Sequence, residues 1–444
     1  MTPRLQDLFT FLRFPSISTQ SDHAGDMVSC ADWLVAKLRE CGLQASVEPT
    51  GGHPLVMGWT PHNPALRTVL IYGHYDVQPP DPLDEWTRPP FEPTLLEGRV
   101  YARGATDNKG QILAHVFGVA DLLAAGEPPV NIVFLIEGEE EIGSPHLESF
   151  LIRHRERLAC DVIVISDTGM VADGYPTLTY SLRGIAAMEV RITGPSHDLH
   201  SGVFGGAVCN PATAVARLVG SLHDENGHVR IEGFYDDVRP IFDWEREAVA
   251  KLPLNDDAIR QLAGVPGLFG EPGYSAVERI GARPTAEVNG IGGGYQGEGT
   301  KTVIPREAFA KLTFRLVPHQ KPKEILSLAR AHLEKHLPPG VALHIEEGHS
   351  GEPYYVDPNS PYAEAAKKAL QGVFGCPPAL LREGGSIPIL TVFQRTLSAD
   401  ALLLALASPD CRAHSPNENF PVANWESGIR LGRKVLEEIA QARR

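Results

Sequence analysis

Several short stretches of this chain carry side chains able to hold a cation or move a proton. The apolar run Val69 to Tyr72 ends abruptly in Gly73-His74-Tyr75-Asp76. Asp107 lies in Thr106-Asp107-Asn108-Lys109, where a helical pattern begins. Glu139-Glu140-Glu141 follows the run NIVFLIEG, Asp167 follows DVIVIS, and His414 follows ALLLALASPDCRA. Imidazole and carboxylate without thiolate suit Zn, Mn or Co far better than a cysteine-rich structural site does. His74 and Asp76, two residues apart on a strand, face the same way. That spacing aims an imidazole at a metal while the carboxylate holds its other nitrogen. Each residue alone has a plain structural account: Asp107 capping a helix, Asp167 in a turn, the glutamates as a solvated charge run, His414 as a loop histidine. Gathered at the strand ends of one sheet, however, the carboxylates would repel one another and resist desolvation. A metal relieves both. One bridging carboxylate, with a histidine and a carboxylate for each ion, makes a two-metal hydrolase site.

The elements that must place these residues are legible in the same stretches. Thr2-Pro3 opens a helix with Leu5, Leu8, Phe9 and Leu12 on one face. A second helix runs from Asp26 and is closed by Gly42. Strands are predicted near Ala45–Glu48 and Leu55–Trp59, then from Val69, over Asn131–Ile136 and over Asp161–Ser166, with a helix over Lys109–Ala125 and another opening at Ser144-Pro145. This alternation is the pattern of a mostly parallel sheet with helices on both faces. Near Arg183 the pattern changes. Strands over Ile185–Thr193, Pro284–Ile291, Phe309–Val317 and Val341–Glu346, with helices over Pro211–His223 and Pro322–Leu337, read as an α+β unit of the split βαβ, ferredoxin-like kind. The irregular stretch from Gly233 to Gly281 has no assigned place. After Pro353 the first pattern returns, with a helix from Pro361, a strand over Leu402–Ala407 and a closing helix from Val422. The expected organisation is an α/β catalytic domain over 1–183 and 351–444, interrupted by an inserted lid and dimerisation domain over 184–350.

Composition limits the function. The 444 residues exceed one ordinary core, so two domains are expected. A net charge of −15, from 40 basic and 55 acidic residues, argues against nucleic acid or anionic membrane as the main partner. Six cysteines without a C-x-x-C pair point to reduced thiols in a cytoplasmic protein. The N-terminus lacks the uninterrupted apolar core of a signal peptide, and no apolar run is long enough to span a bilayer.

At these residues the chain resembles the co-catalytic zinc exopeptidases, a family that includes carnosinase, cytosolic non-specific dipeptidase and the N-acyl-amino-acid deacylases. The motifs carrying the resemblance are GHYDVQP, ARGATDNKG, EGEEEIGS, VISD, DLHSGVFGG, GYQGEGTKTVIP, FRLVP, REGGSIP and AHSPNE, in family order along nearly the whole chain. GHYDVQP, DLHSG, KTVIP and REGGSIP are closest to the dipeptidase branch. The resemblance implies two divalent ions, zinc first and manganese or cobalt as alternatives, bridged by Asp107. His74 and Asp167 would complete one ion, Glu141 and His414 the other. Asp76 would orient His74, and Glu140 would be the general base. Glu139 stands one residue away, so the assignment of base and ligand depends on register. The resemblance further implies a cis bond between Asp107 and Asn108. It gives His200 the scissile carbonyl oxygen, reached from the partner subunit of a homodimer built through the inserted domain. Arg315 would bind the substrate carboxylate, with Gly385 and Ser386. The implied activity is hydrolysis of dipeptides or short peptides. The alternatives are an N-acyl-amino-acid amidohydrolase of the same fold and a non-catalytic peptide-binding protein.

Overall fold

The computed structural model describes residues 1–443. The chain divides into two compact units. One comprises Met1–Tyr180, Val356–Leu381 and Ile389–Arg444, the other Ser181–Tyr355 with Arg382–Pro388. The REGGSIP segment therefore groups with the second unit, while the residues on either side of it belong to the first.

The first unit is mixed α/β around a mainly parallel sheet. Its strands run in the order Gln44–Glu48, Leu55–Trp59, Asn131–Glu137, Thr68–His74, Val162–Ile165, Ala401–Leu404. The pairings among the last four are parallel, whereas the first two strands join antiparallel. Thr68–His74 is buried at every residue. A strand covered on both faces reads as a continuous apolar run, which is why TVLIYG stands out. The helix Lys109–Ala125 is buried almost all round. It packs on the closing helix Val422–Gln441, and the two backbones approach closely. A Cβ added at Gly118 would lie 2.6 Å from the Ile429 carbonyl oxygen, and one at Gly432 3.1 Å from the His115 Cα. A small sheet of Thr94–Leu96, Arg99–Tyr101 and Asn419–Pro421 ties the chain just ahead of Asp107 to a segment near the C-terminus.

The second unit holds a four-stranded antiparallel sheet in the order Thr285–Gly293, Glu307–Leu316, Gly184–Thr193, Ala342–Gly351. Helices Pro211–Gly220 and Pro322–His336 cover it. The period of two is plain in Glu307–Leu316, where Ala308, Ala310, Leu312, Phe314 and Leu316 point into the core. This is the split βαβ arrangement expected from the sequence. The unassigned stretch forms the helices Asp243–Ala250, Asp256–Ala263 and Ala276–Ala282. Ion pairs tie parts of it to neighbouring segments. Glu245 pairs with Arg239 and Arg382, Glu278 with Arg246, and Glu271 with Arg283.

The sequence reading did not anticipate the helix Ile389–Leu397 or the strand Thr177–Leu182. The first begins Ile-Leu-Thr-Val-Phe, rich in residues that favour strands, yet its buried Ile389, Leu390, Phe393 and Leu397 follow a helical period. All six cysteines are free thiols. Among the described residues no helix is long and apolar enough to cross a membrane.

Candidate active site

The edge of the parallel sheet assembles the first unit's site. His74 is in register with Glu137 on one side, and Tyr72 with Ile165 on the other. His74, the turn after Glu137 and the Ser166-Asp167 step therefore leave the sheet at the same carboxyl edge, where open α/β sheets bind ligands. Glu140–Ile142 forms one turn of 3-10 helix. Asp107 precedes the helix Lys109–Ala125 without capping it: Asn108 holds the N-cap position and makes no side-chain cap bond. The Asp107–Asn108 peptide is cis. His414 is not placed by a strand end. Its strand stops at Leu404, and the residue sits in a later loop with left-handed backbone, φ +61°.

These groups converge. His74 Nε2 lies 3.1 Å from Asp107 Oδ1 and 3.8 Å from Asp167 Oδ2. His414 Nε2 lies 2.8 Å from the other oxygen of Asp107 and 3.3 Å from Glu141 Oε2. Two triads result, His74–Asp107–Asp167 and Asp107–Glu141–His414, each with ligand atoms within 4.8 Å of one another. Asp107 belongs to both, one oxygen toward each histidine. His74 is fully buried, and its Nε2 makes no hydrogen bond of acceptable geometry. An orphaned buried ring nitrogen facing carboxylate oxygens is what a metal ligand leaves behind. The electrostatics agree. Burial, then the Asp107 charge, push Asp167 well above the usual carboxylate range. Burial works against ionisation of Asp107 too, but His414 and His74 outweigh it and hold the group down. Hydrogen bonds to Asp107 and Glu141 raise His414 to about 10. An all-oxygen-and-imidazole donor set with excess negative charge fits a pair of divalent cations.

Around these groups Asp76 lies against His74 as its spacing led one to expect, whereas Ser18, Gln78, Asn108 and Glu418 carry no signal of their own in the sequence. Nδ1 of His74 meets the Asp76 carbonyl oxygen at 3.1 Å and the Asp76 carboxylate at 3.3 Å. That carboxylate also accepts from Ser18 Oγ at 2.7 Å and from the backbone N–H groups of Glu140 and Glu141 at 3.3 and 3.0 Å. Asp76 thus orients a histidine and anchors the glutamate turn at once. Glu418 is fully buried and accepts from the N–H groups of Gly104, Thr106 and Asp107 and from Arg103 Nη1. Asn108 Nδ2 donates to Asp167 Oδ1, and Gln78 Nε2 to Glu141 Oε2. Glu139 turns away, accepting from the His53 N–H and contacting the His146 ring. Glu140 has no such partner among the described residues. Burial raises it to about 7, with the charges of Asp107, Glu141 and Asp76 adding to the rise and His74 opposing it.

Residues 70–438 match the model of peptidase family M20/M25/M40. This chain belongs to that family. It is a metallopeptidase. A Cys-Gly metallodipeptidase of Schizosaccharomyces pombe is 32% identical, the match covering 96% of this chain and 93% of that one. A Beta-Ala-His dipeptidase of Homo sapiens is 33% identical over 87% of this chain and 78% of its own length. Among solved structures, the M20 metallo-carboxypeptidase Sso-CP2 of Sulfolobus solfataricus superposes with a TM-score of 0.86 at 34% identity, covering 99% of this chain and 100% of that one.

The remaining motifs of the peptidase lie in its second unit. His200 is exposed, on a two-residue ribbon with Val303–Ile304, and caps the short helix Ser201–Phe204 by accepting the Gly202 N–H at Nδ1. Its Nε2 has no hydrogen bond among the described residues. Arg315 Nη1 donates to Ser386 Oγ at 3.0 Å. Ser386 Oγ in turn donates to the carbonyl of Arg183, and the Arg183 N–H donates to the Gly385 carbonyl. Arg183 had no assigned role in the sequence. Burial, then the Arg315 charge, lower its guanidinium to about 10.

Proposed function

We propose that this peptidase is a two-metal exopeptidase that hydrolyses dipeptides or short peptides, with zinc as its ions, working as a homodimer in the cytoplasm. One observation carries the reading: two ligand triads share Asp107, with Glu140 half-buried beside their charges and its side chain in no hydrogen bond among the described residues. Bound at these triads, two divalent ions would polarise the scissile carbonyl and make a water acidic. His74 and Asp167 would hold one ion, Glu141 and His414 the other. Glu140 is the base in this reading: it takes a proton from water and returns it to the leaving amine. Asp76 keeps the His74 ring in the tautomer that leaves Nε2 free. Arg315 forks onto the substrate carboxylate, as a guanidinium is suited to do, while Ser386 offers a hydroxyl and Gly385 a backbone N–H. His200 is assigned to the oxygen that becomes negative in the tetrahedral state.

The names of the relatives support dipeptides as the substrate class. The test is a panel of dipeptides and of N-acetyl and N-succinyl amino acids on metal-stripped protein reloaded with Zn, Mn or Co. Faster turnover of dipeptides, dependent on reloading, is the expected result. Preference for N-acyl amino acids would move the chain to the amidohydrolases. Peptide binding without cleavage under every metal would make it a binding protein.

A further inference from the structure

Within the second unit lies a cavity of about 420 Å³, inside the range of roughly 300–1,000 Å³ usual for small-molecule sites. Arg183, Arg279, Ile280, Thr285 and Glu287 are among the residues lining it. It adjoins the loop Gly384-Gly385-Ser386, since two of these residues also touch Gly384. Arg183 Nε donates to the Gly384 carbonyl at 3.2 Å. A Cβ added at Gly384 would meet Ile280 Cγ2 at 2.7 Å and Arg183 Nη2 at 2.9 Å. The cavity therefore opens beside the residues that hold Ser386 against Arg315.

The unused polar groups facing this space are mostly donors. A guanidinium has five N–H groups. That of Arg183 spends one on Gly384, and that of Arg279 spends two, on the carbonyls of Tyr274 and Phe269. Neither makes an ion pair among the described residues. Arg283, also on the wall, is already taken by Glu271 through two bonds, of 2.6 and 3.1 Å. Thr285 Oγ1 is buried without a partner. Glu287, exposed on the same wall, makes no ion pair among the described residues, although its charge acts on Arg183 from a distance. Guanidinium groups with donors to spare in a partly buried pocket suit a further acceptor, and carboxylate is the group that matches their fork.

We propose that this cavity takes the side chain of the substrate's C-terminal residue, and that Arg183 and Arg279 select a second carboxylate there, so that preferred substrates end in Glu or Asp. The inference rests on the carboxylate role given above to Arg315 and Ser386. Ala-Glu and Ala-Gln, equal in shape and different in charge, test it on the metal-loaded full-length protein. Ala-Glu should be favoured by about tenfold in kcat/KM, mostly through KM, the scale of a hydrogen bond to a charged group. Arg279→Gln should bring the two substrates close to parity, whereas Arg279→Lys should keep part of the preference. Parity in the wild-type protein, or a preference unchanged in Arg279→Gln, would overturn the proposal. If no dipeptide is cleaved, the peptidase assignment fails separately. Calorimetry with L-glutamate and L-glutamine then decides the cavity. Tighter glutamate binding that is lost in Arg279→Gln upholds it, and equal binding refutes it.

Discussion

Among the side chains at the sheet edge, Glu139, Glu140 and Glu141 are adjacent and chemically identical, yet their surroundings separate them. Glu139 is engaged by His53 and His146, Glu141 faces His414, and Glu140 is left beside the ligands with its proton affinity raised. Glu140→Gln should therefore retain two metal equivalents by elemental analysis and lose at least about a hundredfold in kcat, the scale of a lost general base. Glu139→Gln should lose stability first. A dead Glu139→Gln beside an active Glu140→Gln would shift the register by one. A second prediction concerns His115, fully buried, with Nε2 on Ser166 Oγ and Nδ1 unpartnered. Burial lowers it to about 4. A histidine depressed in the folded state stays neutral there while the unfolded chain takes up a proton. Its contribution is thus complete above about pH 6.5 and is lost as pH falls toward 4, at most roughly 3 kcal/mol. Urea midpoints across that window should fall more steeply for the wild-type protein than for His115→Gln.

At the level of elements, the crossing of Lys109–Ala125 with Val422–Gln441 governs the position of Asp107, because that helix begins two residues after it. Glycine permits the approach. Gly118 faces backbone on the partner helix, with Ile429 O at 2.6 Å and Arg433 N at 2.8 Å from an added Cβ, and backbone cannot swing aside as a side-chain end can. Gly118→Ala should cost about 1–3 kcal/mol in chemical denaturation, although alanine is the better helix former. A neutral or stabilising result would mean that the helices separate without strain. The same prediction explains why the helix pattern was easy to read and its docking was not. The apolar residues announce a helix, while the spacing between two helices depends on small residues distant in sequence.

At the scale of the whole molecule, the proposed dimer can be tested without a structure of it. The resemblance gives the oxyanion role to a histidine from the partner subunit, and His200 lies in a different unit from every proposed metal ligand. His200→Ala should keep its metals and lose kcat, because the missing interaction belongs to the transition state. Mixing His200→Ala with Glu140→Gln subunits should restore activity, since one shared site of the heterodimer then has both groups. No rescue after verified subunit exchange, or an active monomer, would refute sharing.

The sequence by itself determined the strands of the parallel sheet, the split βαβ pattern of the inserted unit and the residue types able to bind metal. Burial on both faces of a strand and the periods of two and 3.6 residues are local properties, written in neighbouring positions. Tertiary structure alone decided how those residues are held. Glu418 reaches the Asp107 N–H across 311 positions, and Asp76 ties the glutamate turn from 65 positions away. His414 arrives on a left-handed loop rather than from a strand end. The helix Asp243–Ala250 and the wall of the cavity beside Arg183 are tied to a segment more than a hundred positions away, through the Glu245–Arg382 pair and the Arg183 bond to the Gly384 carbonyl. Such bonds impose no period on the chain, because a single buried donor can be met by an acceptor from any segment the fold brings within 3 Å or so.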